Sequence, residues 1–181
     1  MAAYSFEAFR ADCRANVLQG AAGRERIRLD MERLLGEEAF VAEHFGPGAE
    51  PGIRPLYTDA ETGYQVLVHV YAEGKQSPPH DHGVSWAVYG QAAGHTDMTV
   101  WRRVDDAAEA GRAEVEIVRR FRLDPRMAGT FEPGEIHSIE FPAGARFLRV
   151  TGVDLKTIAT RRYDPETGSV IESEGISGVA R

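Results

Sequence analysis

Cysteine is nearly absent from this sequence, in which Cys13 is the only one among 181 residues. A single cysteine cannot form an intrachain disulfide, which excludes a disulfide-stabilised scaffold and favours a reducing cytoplasm. Long hydrophobic runs are absent as well, since no stretch approaches the roughly 20 apolar residues that a membrane-spanning helix needs. We therefore predict a cytoplasmic protein without a membrane partner.

Positive charge is scarce too. The chain carries 21 lysines and arginines against 28 aspartates and glutamates, which gives a formal net charge of -7. Surfaces that bind nucleic acids or anionic membranes need clustered basic residues. The charge balance argues against a nucleic-acid partner and leaves small neutral or anionic ligands open.

The first part of the chain has apolar residues at helical spacing. One run contains Phe6, Phe9, Cys13 and Val17, and the next contains Ile27, Met31, Leu34 and Leu35. Side chains three and four positions apart lie on one face of a helix, so each run predicts an amphipathic helix. Gly20 and Gly23 are expected to separate the two. Residues 1–47 are therefore predicted to form a helical arm.

From residue 48 onward the pattern changes to short apolar or alternating runs separated by turn residues. The runs that predict strands are QVLVHVYA, VSWAVYGQ, HTDMTVWRRV, AEVEIVRRF, HSIEF, RFLRVTG and TIATRRY. Many short strands without interleaved helices indicate an antiparallel sandwich or barrel. We predict a mainly β domain over residues 48–172, with the helical arm packed on it and a C-terminal tail over residues 173–181.

The segment PPHDHG contains the most specific signal in the sequence. His80 and His82 are two positions apart at the entrance of a predicted strand, and side chains at i and i+2 of a strand point to the same side. Two imidazoles therefore converge, as metal ligands do. A polar turn is the simpler interpretation of the same residues. Gly74 and Gly94 frame the pair on either side.

This frame resembles the first sequence motif of the cupins, which are metal-binding jelly-roll barrels. Ala87 stands where that motif has a glutamate. The segment EPGEIH is similar to the second cupin motif, which supplies a further histidine, here His137. The resemblance implies a mainly β fold, a cupin jelly-roll of the RmlC-like, double-stranded β-helix type, with the helical arm outside it. It also implies one divalent metal ion held by His80, His82 and His137.

Loss of the glutamate has chemical consequences. Three neutral imidazoles leave the charge of a divalent ion uncompensated, and this favours anionic ligands. They also leave coordination positions open on the opposite side, as in non-haem iron sites. In this respect the chain resembles cysteine dioxygenase and the bacterial thiol dioxygenases. That resemblance implies an Fe(II) ion, which Zn, Ni or Mn could replace in a purified sample. It also implies a reaction in which dioxygen oxidises a small carboxylate-bearing thiol to a sulfinate. Arg54 stands in the place of the arginine that binds the substrate carboxylate in cysteine dioxygenase.

The chain departs from those enzymes after the third ligand. Where they have a serine, a histidine and a tyrosine beside the iron, this sequence has Phe147, Arg149 and Thr151. A hydrogen-bonded proton path is therefore missing, and no catalytic residue is predicted beyond the metal site. Arg149 either binds an anionic group of the substrate or, if Leu148 and Val150 face inward, is a solvated strand residue.

Three other polar residues need an interpretation. His69 and Tyr71 share the mixed face of the strand QVLVHVYA, and that face lines a ligand cavity or else holds a core histidine bonded to Tyr71. Tyr71 is included among the predicted substrate-binding residues, with Arg54 and Arg149. Asp81 is expected to point away from the metal and to orient a loop.

Two alternative functions remain at this point. One is another cupin metalloenzyme, such as a non-thiol dioxygenase or an isomerase. The other is a non-catalytic ligand-binding cupin, in which a fourth protein ligand closes the metal site. The predicted partners are a small anionic substrate and dioxygen, and a homodimer is expected because dimers are common among jelly rolls.

Overall fold

The computed structural model describes residues 3–106 and 109–174. Three helices come first, α1 (Phe6–Asn16), α2 (Gly20–Leu34) and α3 (Glu38–Phe45). Ser5 caps α1 by accepting a hydrogen bond from the Ala8 amide at 3.1 Å. None of these helices is long and apolar enough to cross a membrane.

Eleven strands follow in the described residues. They are β1 (Gly52–Thr58), β2 (Gln65–Val70), β3 (Lys75–Gln76), β4 (Ala87–Ala93), β5 (Thr96–Arg103), β6 (Val115–Leu123), β7 (Ala128–Phe131), β8 (Ile136–Phe141), β9 (Arg146–Thr151), β10 (Ala159–Asp164) and β11 (Ser169–Glu174). A 3-10 helix over Leu155–Thr157 lies between β9 and β10. The seven predicted strands are all present, whereas β1, β3, β7 and β11 were not predicted.

The strand order defines the architecture. One sheet has the order β1-β2-β9-β4-β7, a second has the order β3-β8-β5-β6, and β10 pairs with β11. If the eight strands from β2 to β9 are numbered one to eight, the two large sheets read 1-8-3-6 and 2-7-4-5. This is the order of a jelly roll, or double-stranded β-helix. The predicted fold class, a mainly β jelly roll with an N-terminal helical arm, is confirmed.

The helical arm covers the outer face of the five-stranded sheet. Buried side chains of the arm, among them Phe9, Ile27 and Met31, share one apolar core with Val68 and Val150 of the sheet. Cys13 is fully buried in the same core, and burial raises the pKa of its thiol well above the usual value. It therefore behaves as a small apolar side chain.

Two glycines let the arm approach closely. Gly23 lies inside α2 rather than between two helices, and a side chain there would meet the Asn16 carbonyl at the end of α1. This corrects the prediction that Gly23 separates the helices. Gly90 of β4 lies beneath α2, where an added Cβ would be 2.6 Å from the Leu35 side chain.

A second core fills the space between the two large sheets and contains Met98, Val100, Phe131, Phe141 and Phe147. The strands β2, β4 and β9 of the five-stranded sheet are therefore covered on both faces. The domain limits at residues 47 and 172, the homodimer and the cytoplasmic location stay predictions, and residues 175–181 of the predicted tail lie outside the described residues.

Candidate metal centre

His80, His82 and His137 come together at one end of the space between the sheets. Their candidate ligand atoms all lie within 4.8 Å of one another. The backbones of His80 and His137 exchange two hydrogen bonds of 2.9 Å, so the segment after β3 is held against the start of β8. His82 and His137 are buried, and His80 is partly buried. Within the described residues this is the group of three that meets the requirements of a metal site.

Hydrogen bonds orient two of the imidazoles. The Nδ1 atom of His80 lies 2.9 Å from the Pro78 carbonyl oxygen, and that of His137 lies 3.1 Å from the Glu135 carbonyl oxygen. A donating Nδ1–H at each position leaves the Nε2 lone pair free to bind a metal. In the part of the chain that the structure describes, the buried Nε2 of His137 and Nδ1 of His82 have no hydrogen-bond partner.

The environment keeps the three rings neutral. Burial, with the charges of the neighbouring histidines, lowers the pKa of His82 and His137 well below the usual value. Burial also lowers the pKa of His80, against the opposing effect of its bond to Pro78. Because a metal binds the neutral imidazole, these rings are ready to bind without first losing a proton. The donor set, its spacing and its unpartnered nitrogens fit a transition-metal ion.

No carboxylate joins the three imidazoles in the described residues. Ala87 is fully buried and packs in the core between the sheets. The Glu135 carboxylate accepts a hydrogen bond of 2.8 Å from the Glu132 amide, so it stabilises its own turn. The metal group therefore consists of three neutral ligands, as the replacement of glutamate by Ala87 predicts.

Asp81, between two of the ligands, fixes their loop. One of its oxygens accepts from the Gly83 amide at 2.8 Å, and the other accepts from the Tyr163 hydroxyl at 2.7 Å. Gly83 adopts a φ of 54°, and a side chain there would collide with the Ala159 carbonyl. The structure thus places Asp81 in the loop-orienting position that strand parity predicts.

A cavity of about 670 Å³ opens beside the metal group. Its wall includes His80 and Tyr89 near the metal group and a larger apolar region that contains Leu67, Ile139 and Phe147. Cavities of roughly 300–1,000 Å³ hold small-molecule ligands in proteins.

Arg149 faces this cavity. It lies opposite Leu67 of β2 and Tyr89 of β4, and all three residues line the cavity wall. The buried Nε of Arg149 has no hydrogen-bond partner within residues 3–106 and 109–174, and the guanidinium carbon is 6.0 Å from the Tyr89 ring centroid. Leu148 and Val150 point the other way, into the core beneath the helical arm. Of the two predicted alternatives, the structure places the cation inward.

His69 and Tyr71 line the same cavity, and both predicted interpretations of them are realised. The His69 Nδ1 atom is 3.3 Å from the Tyr71 hydroxyl, and the His69 ring stacks on Phe147 with 4.6 Å between centroids. Burial, together with the nearby Arg149 charge, keeps the pKa of His69 well below its usual value. Burial raises the pKa of Tyr71 to about 12, so its hydroxyl stays protonated.

The structure does not bring Arg54 to the cavity, and the predicted substrate role of Arg54 is corrected. Its neighbours Ile53 and Pro55 line the cavity, and successive residues of a strand face opposite sides. Arg54 is paired with Val68, whose side chain lies in the core beneath the arm, so Arg54 is on the helical side of β1. Its side chain is exposed there.

Tyr89 is the cavity residue that the sequence did not reveal. Its hydroxyl is 3.4 Å from the His82 Nε2 atom, and its ring packs within 6.0 Å of the His137 ring centroid. Strand parity was the available signal, because Tyr89 shares the inward face of β4 with Ala87, the position that aligns with the missing glutamate.

Comparisons with known proteins give no family for this chain. The sequence matches no family model and no curated protein. Among solved structures it is similar to the Cnp3 cupin domain of Schizosaccharomyces pombe, with 16% identity over 58% of this chain and 63% of that one and a TM-score of 0.43. The DMSP lyase DddQ of Ruegeria pomeroyi DSS-3 has 13% identity over 55% of this chain and 45% of that one, with a TM-score of 0.39.

KdgF from Halomonas sp. has 14% identity over 56% of this chain and 79% of that one, with a TM-score of 0.41. The matched region thus spans less than two thirds of the Cnp3 and DddQ chains. At such identities and scores these likenesses establish neither a family nor an activity for this chain. What stands on the chain's own residues is a double-stranded β-helix with a three-histidine group that fits a metal ion.

Proposed function

We propose that this chain is a metal-dependent enzyme of the thiol dioxygenase type, which converts a carboxylate-bearing thiol to a sulfinate. In the balanced reaction both atoms of dioxygen bond to sulfur, so that RSH and O2 give RSO2H. Sulfur loses four electrons and dioxygen gains four, and no other reductant is required. The observation that carries the proposal is that His80, one of three neighbouring neutral histidines, lines the same cavity as the inward Arg149.

His80, His82 and His137 would hold the metal, and Fe(II) is the ion proposed. A ferrous ion supplies the redox chemistry that lets dioxygen react with a thiolate. The protein contributes a ligand set without negative charge, which favours an anionic substrate at the remaining positions.

Arg149 would bind the substrate carboxylate. A guanidinium matches the two oxygens of a carboxylate, and its buried Nε needs a partner that the described residues do not supply. The strand pairing of Arg149 with Tyr89 brings it close to the histidines. Binding at this position would orient the reacting sulfur toward them.

The other residues of the wall would exclude water and supply hydroxyl groups. Phe147 and Ile139 give the cavity an apolar surface. Thr151 is not part of this wall, and its hydroxyl donates a hydrogen bond of 2.8 Å to the Val153 carbonyl oxygen. Tyr89 places a hydroxyl beside the three histidines, since its oxygen is 3.4 Å from the His82 Nε2 atom.

A second candidate is a metalloenzyme that acts on an organic anion without a thiol. The size of the cavity, about 670 Å³, favours it, because a three-carbon mercapto acid would occupy only part of that space. The same residues would bind the metal and the acid group, and only the reacting group would differ.

Anaerobic loading with ferrous ion, followed by dioxygen-uptake measurements, separates the two. We expect uptake with 3-mercaptopropionate and longer mercapto acids, with one dioxygen consumed per sulfinate formed, and little uptake with cysteine, whose ammonium group would lie near Arg149. Uptake only with thiol-free dicarboxylates supports the second candidate. Absence of uptake on every compound by the fully loaded protein contradicts the thiol dioxygenase assignment.

A further inference from the structure

Both lysines of this chain line the same cavity. Lys75 and Lys156 are its only lysines, beside nineteen arginines, and both line the cavity. Lys75 belongs to β3, whereas Lys156 belongs to the 3-10 helix between β9 and β10. A lysine carries a compact, strongly hydrated charge on a flexible stem, which suits contact with an anion at a wet cavity mouth.

The charge of the cavity wall opposes that of the whole protein. Lys75, Lys156, Arg149 and Arg162 line the cavity with Asp154 as their acidic counterpart, which leaves a net charge of +3 when the histidines are neutral. The complete chain has a net charge of -7. A cleft lined by one sign of charge concentrates ligands of the opposite sign.

The lysines are available for a ligand. Neither forms an ion pair with any residue in the described ranges, and the Lys75 ammonium lies 5.5 Å from the Tyr71 ring centroid. Lys75 is partly buried and Lys156 is exposed, whereas the Nε of Arg149 is buried. Of the three cations, Lys156 therefore has the most exposed side chain, and Arg149 contributes a buried donor.

We infer that Lys75 and Lys156 form a second anion-binding subsite and that the ligand is an organic dianion. One carboxylate would bind Arg149, the second would bind the lysines, and the connecting chain would pack on apolar wall residues such as Leu67 and Leu155. A single carboxylate at Arg149 would leave the lysine end of a 670 Å³ cavity without a ligand group. The inference rests on the proposed function in one respect, namely that the reacting group of the ligand lies in the part of the cavity next to Arg149.

The scarcity of lysine makes the test specific. Reductive methylation of the full-length, metal-free protein with ¹³C-formaldehyde labels Lys75, Lys156 and the terminal amine, and the Lys75→Gln and Lys156→Gln proteins assign the signals. The probes are succinate, glutarate and adipate, each compared with the monocarboxylate of equal carbon number. We expect a dicarboxylate to shift both lysine signals and to bind at least ~10-fold more tightly than its matched monocarboxylate.

Charge-matched variants control for long-range electrostatics. The Lys75→Gln/Lys156→Gln protein should lose the preference for dicarboxylates and bind monocarboxylates as the parent does. The Lys75→Arg/Lys156→Arg protein should retain the preference. The control protein, Arg119→Gln/Arg120→Gln, loses the same two charges at exposed positions of β6 and should also retain it.

Equal binding of dicarboxylates and monocarboxylates by the parent, or a preference that survives loss of both lysines, overturns the inference. These measurements need neither metal nor turnover. If the protein binds dicarboxylates preferentially but takes up no dioxygen, the proposed function alone is rejected. If it takes up dioxygen but shows no preference for dicarboxylates, the inference of a dianionic ligand alone is rejected.

Discussion

Replacement of Arg149 by methionine tests whether the inward cation serves ligand binding at the expense of stability. The buried Nε–H of Arg149 lacks a partner in the described residues. An unsatisfied buried donor costs about 1–3 kcal/mol. Methionine has a similar length, fills irregular space and carries no such donor. We expect the free energy of unfolding of ligand-free Arg149→Met to rise by about 1–2 kcal/mol.

The assay is thermal unfolding followed by circular dichroism, with isothermal titration of a mercapto acid into the same metal-free protein. For a chain of this size, 1–2 kcal/mol corresponds to a rise in Tm of roughly 2–8 °C. A hydrogen bond to a charged group contributes about 1.5–3 kcal/mol, so the mercapto acid should bind ~10- to 150-fold more weakly.

Arg120→Met, at an exposed position of β6, is the matched control and should change neither quantity. A lower Tm for Arg149→Met would mean that the guanidinium stabilises the empty protein. Unchanged binding of the mercapto acid would show that no anion uses this group. Either result would refute the reasoning from the unpartnered nitrogen.

Three further predictions follow from other parts of the structure. His80→Ala and His137→Ala should each lose metal by more than ~100-fold in elemental analysis while keeping the circular dichroism of the parent, and full retention of metal in both would contradict the site. Gly90→Leu should lower the free energy of unfolding in urea by ~1–3 kcal/mol, because a side chain there meets Leu35 beneath α2, and a variant as stable as the parent would contradict this packing. Burial acts to raise the pKa of Asp59, but hydrogen bonds that include one from the Thr62 amide outweigh it and hold that pKa well below its usual value. The ionised Asp59 carboxylate therefore stabilises the fold above the ordinary aspartate pKa of about 4, and this stabilisation is lost progressively as the pH falls below that value. The difference in free energy of unfolding between the parent and Asp59→Asn should narrow below pH ~4. A difference that stays constant with pH would exclude a lowered pKa for Asp59.

The metal group was predictable because its signal is local. Side chains two positions apart in an extended segment share a side, and the spacing of His80 and His82 therefore pointed to a common centre although both precede β4 rather than belong to it. The third, His137, depended on the resemblance of its segment to a known motif. The structure brings all three within 4.8 Å.

The direction of Arg149 was not predictable, and the reason is physical. Alternation of polar and apolar residues identifies the inner face of a strand only when the outer face meets water. In β9 the outer residues Leu148 and Val150 are buried by the helical arm, so both faces carry apolar side chains. The alternation of residues along β9 then assigns them to two faces, but it does not show which face lines the cavity.

The predicted substrate role of Arg54 was wrong for a related reason. The position of Arg54 ahead of the histidines in the sequence suggested that role, but the sequence did not show which face of the sheet its side chain occupies, because β1 was not recognised as a strand. Pro55 argues against a strand in a single sequence, yet β1 is an edge strand, where a missing amide donor is tolerated.

Burial of β2, β4 and β9 on both faces also determines where this chain can accept sequence change. Most residues of β2, β4 and β9 pack in the core beneath the helical arm or line the space between the sheets, so substitutions at successive positions should alternate between damage to the arm interface and damage to the cavity. The opposite sheet has an exposed run in β6, at residues 116–120, where drift carries little penalty. Random mutagenesis should therefore yield a strongly one-sided tolerance map, with neutral changes concentrated on the sheet that lies farther from the helices.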